Sequence, residues 1–423
     1  MKKIMMLAMG LTALAGRTFA QEDGFVSLFD GKTLNGWVKN GGSATYRVDD
    51  GTIVGTCTPN TPHNTFLCTE KEYGNFILKV DFKFDVGGNS GIQVRSACRA
   101  PNKAGVRTVY GYQAELTPDP NGPTARIYDE GRRGFQHKLV WLDPNTPQDR
   151  IKAAQATYTR NDWNTIEVQC VGPSLRTWLN GKPVADIFDD VCMKGFIGLQ
   201  VHAGKQGTIR WKNIRIKDLG ESQWKPFFVK GADGKTTLDG AHFVLPEDWS
   251  FQTADGGYLR GIHNSGERRD GLVVSDKNYD NFIVRVSYQL FGGNSALYFR
   301  AHEVNTPWLL RGFQNEIAGN SKDSALWHTA GDKTPGRGWV ATNDEWIAKF
   351  RKAKGWNRTF TAALGDRLYN RLNGFETVDI IDPKCEKSGK VALQLHGGAK
   401  NELRFKDFEI MEITPEMAKL IQR

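Results

Sequence analysis

The chain contains no Cys-x-x-Cys pair, no His-Glu-x-x-His and no long run of one charge. Without paired cysteines at ligand spacing, nothing supports a structural zinc site. Lys and Arg (56) are interleaved with Asp and Glu (47), so no basic stripe exists to follow a phosphate backbone, and a nucleic-acid partner is disfavoured. Lys2, Lys3 and Arg17 account for three of the +9 net charges and lie in the first twenty residues, which hold no acid. No stretch reaches the roughly twenty apolar residues of a membrane span. The one short apolar run, Ile4 to Ala15, follows Lys2-Lys3 and precedes Thr18-Phe19-Ala20. That is the layout of an export signal over 1–20, and it predicts a secreted protein, periplasmic in a Gram-negative cell. No cysteine follows the run, so a lipid anchor of that kind is not expected. Six cysteines remain; Cys57–Cys68 and Cys170–Cys192 are candidate disulfides, and buried free thiols are the alternative. Helical periodicity is scarce, with 414–423 and 343–352 the clearest candidates.

What is present is duplication. Residues 73–97 recur as 279–302, 162–181 as 355–374, and 195–219 as 389–413, in the same order. A period near 200 residues means two whole domains, not a solenoid. The blocks alternate with period two, as in Ile77 to Phe84 and Thr208 to Ile216, which predicts strands with one face in a core. Asn180-Gly181 and Asn373-Gly374 predict two-residue hairpins. The reading is all-β: two tandem sandwich or jelly-roll domains, 22–220 and 235–413, with a polar linker after Leu219 and a short C-terminal helix.

The motifs carry a resemblance. Phe25 to Trp37, Asn89 to Arg95, Gly111 to Glu115, Ile127 to Gly134, Trp178 to Gly181 and Gly198 to His202, in that order, resemble the 3-keto-disaccharide hydrolase family. The resemblance implies a concanavalin A-like jelly roll. It also implies cleavage of glycosides already oxidised to a ketone at C3, by hydrolysis or lyase chemistry, beside a separate oxidoreductase that makes the ketone. Domain two resembles the family less. It keeps Asn294, Arg300, Gln314, Glu316, Gln394 and His396 but lacks the Tyr-Asp-Glu-Gly-Arg-Arg run. It is expected to be a second site, a sugar-binding lobe or a lid.

A C3 ketone acidifies the C2 proton, so such a site needs a base, an acid and groups that hold hydroxyls. Gln200 and His202 share a strand face, as do Gln113 and Glu115. His202 is a candidate proton carrier, and Glu115 a base or sugar anchor. Asp129 or Glu130 would be the second acid/base. Arg132 would stabilise enolate charge, with Tyr128, Gln113, Asn180 and Gln200 holding sugar. Arg95, read as sharing a face with Gln93, would hold a hydroxyl or the C3 oxygen, or pair with Glu115. Trp141 and Trp178 are either stacking platforms or core. No cofactor is required; a divalent cation on His202, Glu115 and Asp129, or a structural calcium, is compatible with these residue types. A non-catalytic carbohydrate-binding protein is the alternative function. An ordinary retaining glucanase is disfavoured because no strand carries Glu-x-Asp-x-Glu.

Overall fold

A computed structural model of the protein describes residues 24–421 except 61, 134–140, 205, 265 and 331–335. The expected export signal, 1–20, lies outside the described residues. The chain divides into two compact units. Unit 1 runs through Cys170 and adds Arg176–Ile187 and Lys194–Gly220; unit 2 takes Val171–Leu175, Phe188–Met193 and Glu221–Arg423.

Unit 1 is a sandwich of an eight-stranded and a six-stranded antiparallel sheet. The larger sheet is centred on Asn75–Val86, where Phe76, Leu78, Val80 and Phe82 are fully buried and the residues between them are partly exposed. Its neighbour Asn164–Val171 puts Ile166 opposite Val80 and Val168 opposite Leu78, so one apolar face is continuous across strands. Asn180 (φ 47°) and Gly181 (φ 78°) both take the left-handed conformation that a two-residue hairpin requires. The smaller sheet runs Trp37–Gly41, Thr65–Thr69, Phe196–Val201, Ser90–Cys98, Val109–Leu116, Ile127–Glu130 in spatial order. Ile92, Ala114 and Leu199 are fully buried in it. Tyr46, from the larger sheet, donates to the Leu199 carbonyl at 2.8 Å and ties the layers together.

Unit 2 repeats the plan with an eight-stranded and a seven-stranded sheet and a small two-stranded ribbon. Its core includes Phe282, Val284, Val286, Leu297, Phe313 and Phe405. Phe227, inside the stretch 220–237 expected to be a polar linker, is buried in this core and stacks on Phe408 at 4.4 Å, and Phe228 packs against the same core. Helices occur at Gln148–Gln155, Asp344–Phe350 and Pro415–Ile421. The last two match the expected pair. The first, with mainly polar residues and only Ile151 and Ala154 buried, had no apolar periodicity to announce it.

The candidate disulfides are not formed: all six cysteines are free thiols. Cys170 continues the buried series of Ile166 and Val168, as a small apolar side chain does. Burial holds the Cys68 thiol up at about 12 and also raises that of Cys170. Reductant should therefore leave the melting temperature unchanged. Denatured, unreduced protein should give six reactive thiols per chain, and a count of four or two would contradict this assignment.

Candidate functional site

Along the smaller sheet of unit 1 alternate residues point away from the core. Cross-strand register sets Gly91 opposite Glu115, Gln93 opposite Gln113, Gln113 opposite Tyr128, and Gly111 opposite Glu130. A side chain at Gly91 would strike the Gln113 amide at 2.4 Å, so this glycine leaves the amide room to lie flat on the sheet. From there a directed chain of hydrogen bonds runs outward. Ser96 Oγ donates to Gln93 Oε1 (2.7 Å), Gln93 Nε2 to Gln113 Oε1 (2.7 Å), and Gln113 Nε2 to Glu115 Oε2 (2.7 Å). Asn89 Nδ2 holds the other oxygen, Oε1, at 2.5 Å.

Glu115 lies in a cavity of about 330 Å³ with Asn64, Tyr128, Glu130, Trp141 and His202. A second cavity of about 340 Å³, lined by Pro62, His63, Phe66, Arg107 and Val109, shares Asn64, Glu130 and His202 with the first. Burial raises the carboxyl pKa of Glu115 above the usual range; the amide donors and His202 oppose this, and the Glu130 charge adds to it. Glu130 is raised for the same first reason, opposed by Asn64 Nδ2 at 3.1 Å and by His202. The Tyr128 hydroxyl is pushed up to about 12 by burial and by both carboxylates. His202 Nδ1 sits 2.6 Å from the Ala203 carbonyl. A carbonyl only accepts, so Nδ1 carries a proton, and in the neutral ring the lone pair is on Nε2.

The structure thus brings Gln113, Glu115, Tyr128, Glu130 and His202 together, and leaves other expected residues elsewhere. Asp129 alternates with Glu130 and faces the opposite side; it is fully buried and clasped by Arg132 (2.7 Å) and Arg133 (2.5 Å). Arg132 also covers the Tyr112 ring at 4.7 Å, so its charge is spent on this clasp rather than on an enolate. The trio His202, Glu115 and Asp129 therefore does not converge. Among the described residues no three His, Cys, Asp or Glu side chains are placed to hold a metal.

Arg95 has φ 46° in a bulge where the register shifts between Val94 and Ala97. The extra residue breaks its alternation with Gln93 and turns the guanidinium inward, onto Gly74 O (2.7 Å) and Asn75 Oδ1 (3.2 Å). Asn180 is a hairpin clamp in the other sheet, donating to Thr157 O and Asn164 Oδ1; Asn373 does the same with Phe350 O and Asn357 Oδ1. Gln200 is fully buried, and its amide has no hydrogen-bond partner among the described residues.

Two residues that the sequence reading did not select complete the site. Asn64 Oδ1 accepts from Ala203 N at 2.8 Å while its Nδ2 holds Glu130. Asn89 O accepts from His202 N at 3.3 Å while its Nδ2 holds Glu115. Asn89 had a signal, recurring as Asn294; Asn64 had none, because its counterpart is Asp270.

The family model of the 3-keto-alpha-glucoside-1,2-lyase-like domain matches twice, over residues 24–217 and 223–411. The chain belongs to this family. Both copies of the keto-glucoside lyase-like domain coincide closely with the two structural units. A 3-keto-disaccharide hydrolase of Bacteroides thetaiotaomicron is 26% identical over 233 residues, 47% of this chain and 79% of that protein. A Parabacteroides distasonis protein provisionally termed a glycosyl hydrolase is 23% identical, covering 46% of this chain and 94% of its own, with a TM-score of 0.33. A carbohydrate-binding module from Bacillus subtilis is 15% identical over 43% of this chain and 94% of its own, with a TM-score of 0.28. At these scores the structural likenesses carry no functional argument.

The Glu115 environment has a thermodynamic consequence. Its folded pKa is raised, so the stability it contributes is full below the ordinary carboxylate pKa of about 4.3 and is lost as pH rises through the folded value. Glu115→Gln removes that loss, and the amide chain can reverse to meet it because the Ser96 hydroxyl accepts as well as donates. The variant should melt a few degrees above wild type at pH 7, and the gap should close near pH 4. A variant less stable than wild type at pH 7 would mean that Asn89 and Gln113 outweigh the desolvation.

Proposed function

We propose that the protein is an exported enzyme that cleaves the glycosidic bond of 3-keto-glycosides, disaccharides among them, in unit 1. The observation that carries this reading is the pair of adjoining cavities that meet at His202, Glu130 and Asn64. A disaccharide laid across them has its scissile bond at that junction. The keto sugar fills the inner cavity, its apolar face against Tyr128 and Trp141, which meet edge-on at 6.1 Å.

From the junction inward, the ring atoms run C1, C2, C3. Nε2 of His202 takes the proton from C2. The C–H electron pair forms the C2–C3 double bond, and the C3 oxygen becomes an enolate. Glu115, deeper in the cavity and biased toward its protonated form by burial, donates to that oxygen. The enolate then re-forms the carbonyl, the C1–O bond breaks, and Glu130 gives its proton to the departing oxygen. The resulting C1–C2 enone leaves as the lyase product, or takes up water at C1. With water the sum is keto-glycoside plus water giving keto sugar plus alcohol. Each carboxyl uses its own proton: Glu115 regains the one it lends when the carbonyl re-forms, and Glu130 is re-protonated from solvent as His202 gives up the C2 proton; burial favours the protonated form of both. The ketone must be supplied by an oxidoreductase acting beforehand.

Aglycone release from a nitrophenyl 3-keto-glucoside, beside the same glucoside unoxidised, tests this. Release is expected from the keto form alone, and His202→Ala should lower cleavage of a 3-keto-disaccharide by about 10²–10⁴-fold. Glu130→Gln should slow a keto-disaccharide more than the nitrophenyl substrate, whose leaving group needs little help from an acid. Comparable release from the unoxidised glucoside would overturn the C2 route. Sugar binding without release from either would favour a carbohydrate-binding protein.

A further inference from the structure

Unit 2 carries a cavity of about 410 Å³ at the position equivalent to the site of unit 1. The framework is repeated there. Asn294 Nδ2 holds Glu316 Oε1 at 2.7 Å, and Asn294 O accepts from His396 N at 3.4 Å. His396 Nδ1 lies 2.6 Å from the Gly397 carbonyl, so the same tautomer is set and Nε2 again keeps the lone pair. Burial again raises the Glu316 carboxyl, and His396 opposes it.

The second carboxylate has moved. Cross-strand register places Trp327 opposite Gln314, as Tyr128 stands opposite Gln113, so Thr329 occupies the position of Glu130. The register of Leu272 with Gln394 matches that of Phe66 with Gln200, so Asp270 occupies the position of Asn64. Asp270 Oδ1 accepts from Gly397 N at 2.8 Å, the bond that Asn64 Oδ1 makes with Ala203 N. In unit 1 the two exchanged positions touch, Asn64 to Glu130 at 3.1 Å. One carboxylate is thus lost and one gained at adjoining places, and the cavity still holds two carboxyls and an imidazole. A lobe that only packed or covered would not need Asp270 and Glu316, both over nine-tenths buried, at one cavity.

The walls have changed as well. Leu309 and Leu310 stand where unit 1 has Thr108 and Val109. Trp327, in the place of Tyr128, meets Trp339 edge-on at 4.9 Å on the keto-sugar side, while Leu309, 41% exposed, stands with Leu310 on the leaving-group side, where Thr108 and Val109 line the second cavity of unit 1. Large apolar side chains left open to water around a cavity mark a place for an apolar ligand group.

We propose that unit 2 is a second catalytic centre for the same cleavage, with His396 as base, Glu316 facing the C3 oxygen and Asp270 in the place of Glu130. It takes 3-keto-glycosides whose leaving group is aromatic or otherwise apolar. This rests on the reaction proposed for unit 1. Atoms balance as there: the C2 proton goes to His396, the C1–O bond breaks, and the leaving oxygen departs as an anion that takes its proton from water.

The test uses the full chain as wild type, His202→Ala, His396→Ala and the double variant, with Glu316→Gln as a second lesion in unit 2. Each is assayed on a nitrophenyl 3-keto-glucoside and on a 3-keto-disaccharide of two glucose units. His202→Ala should lose the disaccharide activity and keep a substantial part of nitrophenol release. His396→Ala and Glu316→Gln should each remove that part, and the double variant should lose both activities by about 10²–10⁴-fold. His396 is solvent-exposed, so its truncation should leave the melting temperature unchanged. If His202→Ala alone abolishes both activities, or both unit 2 variants release nitrophenol at wild-type rates, the second centre is refuted while the first stands. If wild type cleaves neither keto substrate, the unit 1 reaction is refuted and this inference with it.

Discussion

Asn64 and Asn89 each do two things at once. Each accepts a backbone N–H from the loop that carries His202, and each donates its side-chain amide to a carboxylate, Asn64 to Glu130 and Asn89 to Glu115. An imidazole at a strand end and two carboxyls on other strands are thereby held in one frame. The same amides make it tolerable to keep the carboxyls out of water, because a buried carboxylate without donors would cost far more. The rest of the site depends on this bracing: the tautomer of His202, the outward turn of Glu130 and the depth of Glu115.

The sheet beneath supplies the rigidity. One face is closed by Ile92, Ala114 and Leu199, all fully buried, and the other carries the chain Ser96, Gln93, Gln113, Glu115. A polar ladder of this kind is stable only when every member finds its partner. The glycine at 91 serves that end, since a methyl group there would displace the Gln113 amide. The carboxyls remain a strain on folding near neutral pH, which is the usual relation between a working site and stability.

Much of this was legible in the sequence. Alternation and the duplicated blocks specify a sandwich twice over, and the two Asn-Gly pairs specify its hairpins. The spacing of Gln113 with Glu115 puts both on one face, where they are found. Asp129 and Glu130 are not separable by residue type alone; once Ile127–Glu130 is a strand, period two sends one inward and one into the cavity. Arg95 was misplaced because a bulge reverses alternation without any glycine to mark it, and positive φ at Arg95 and Arg300 is visible only in three dimensions. Asn64 lies far along the chain from the residues it serves and differs between the copies, so neither spacing nor repetition pointed to it. Asn180 recurs because both hairpins need it, a reminder that repetition marks architecture as readily as chemistry.

In the proposed cleavage, bond breaking begins with removal of the C2 proton by His202. Turnover of a 3-keto-disaccharide in deuterium oxide, stopped early, with the released sugar examined by NMR or mass spectrometry, is the decisive measurement. One deuterium is expected at C2 of the hydrolysed product, entering faster than in enzyme-free substrate and lost with His202→Ala. Product released at the full rate with its original hydrogen at C2 would mean direct displacement at C1 and would rule out the C2 route.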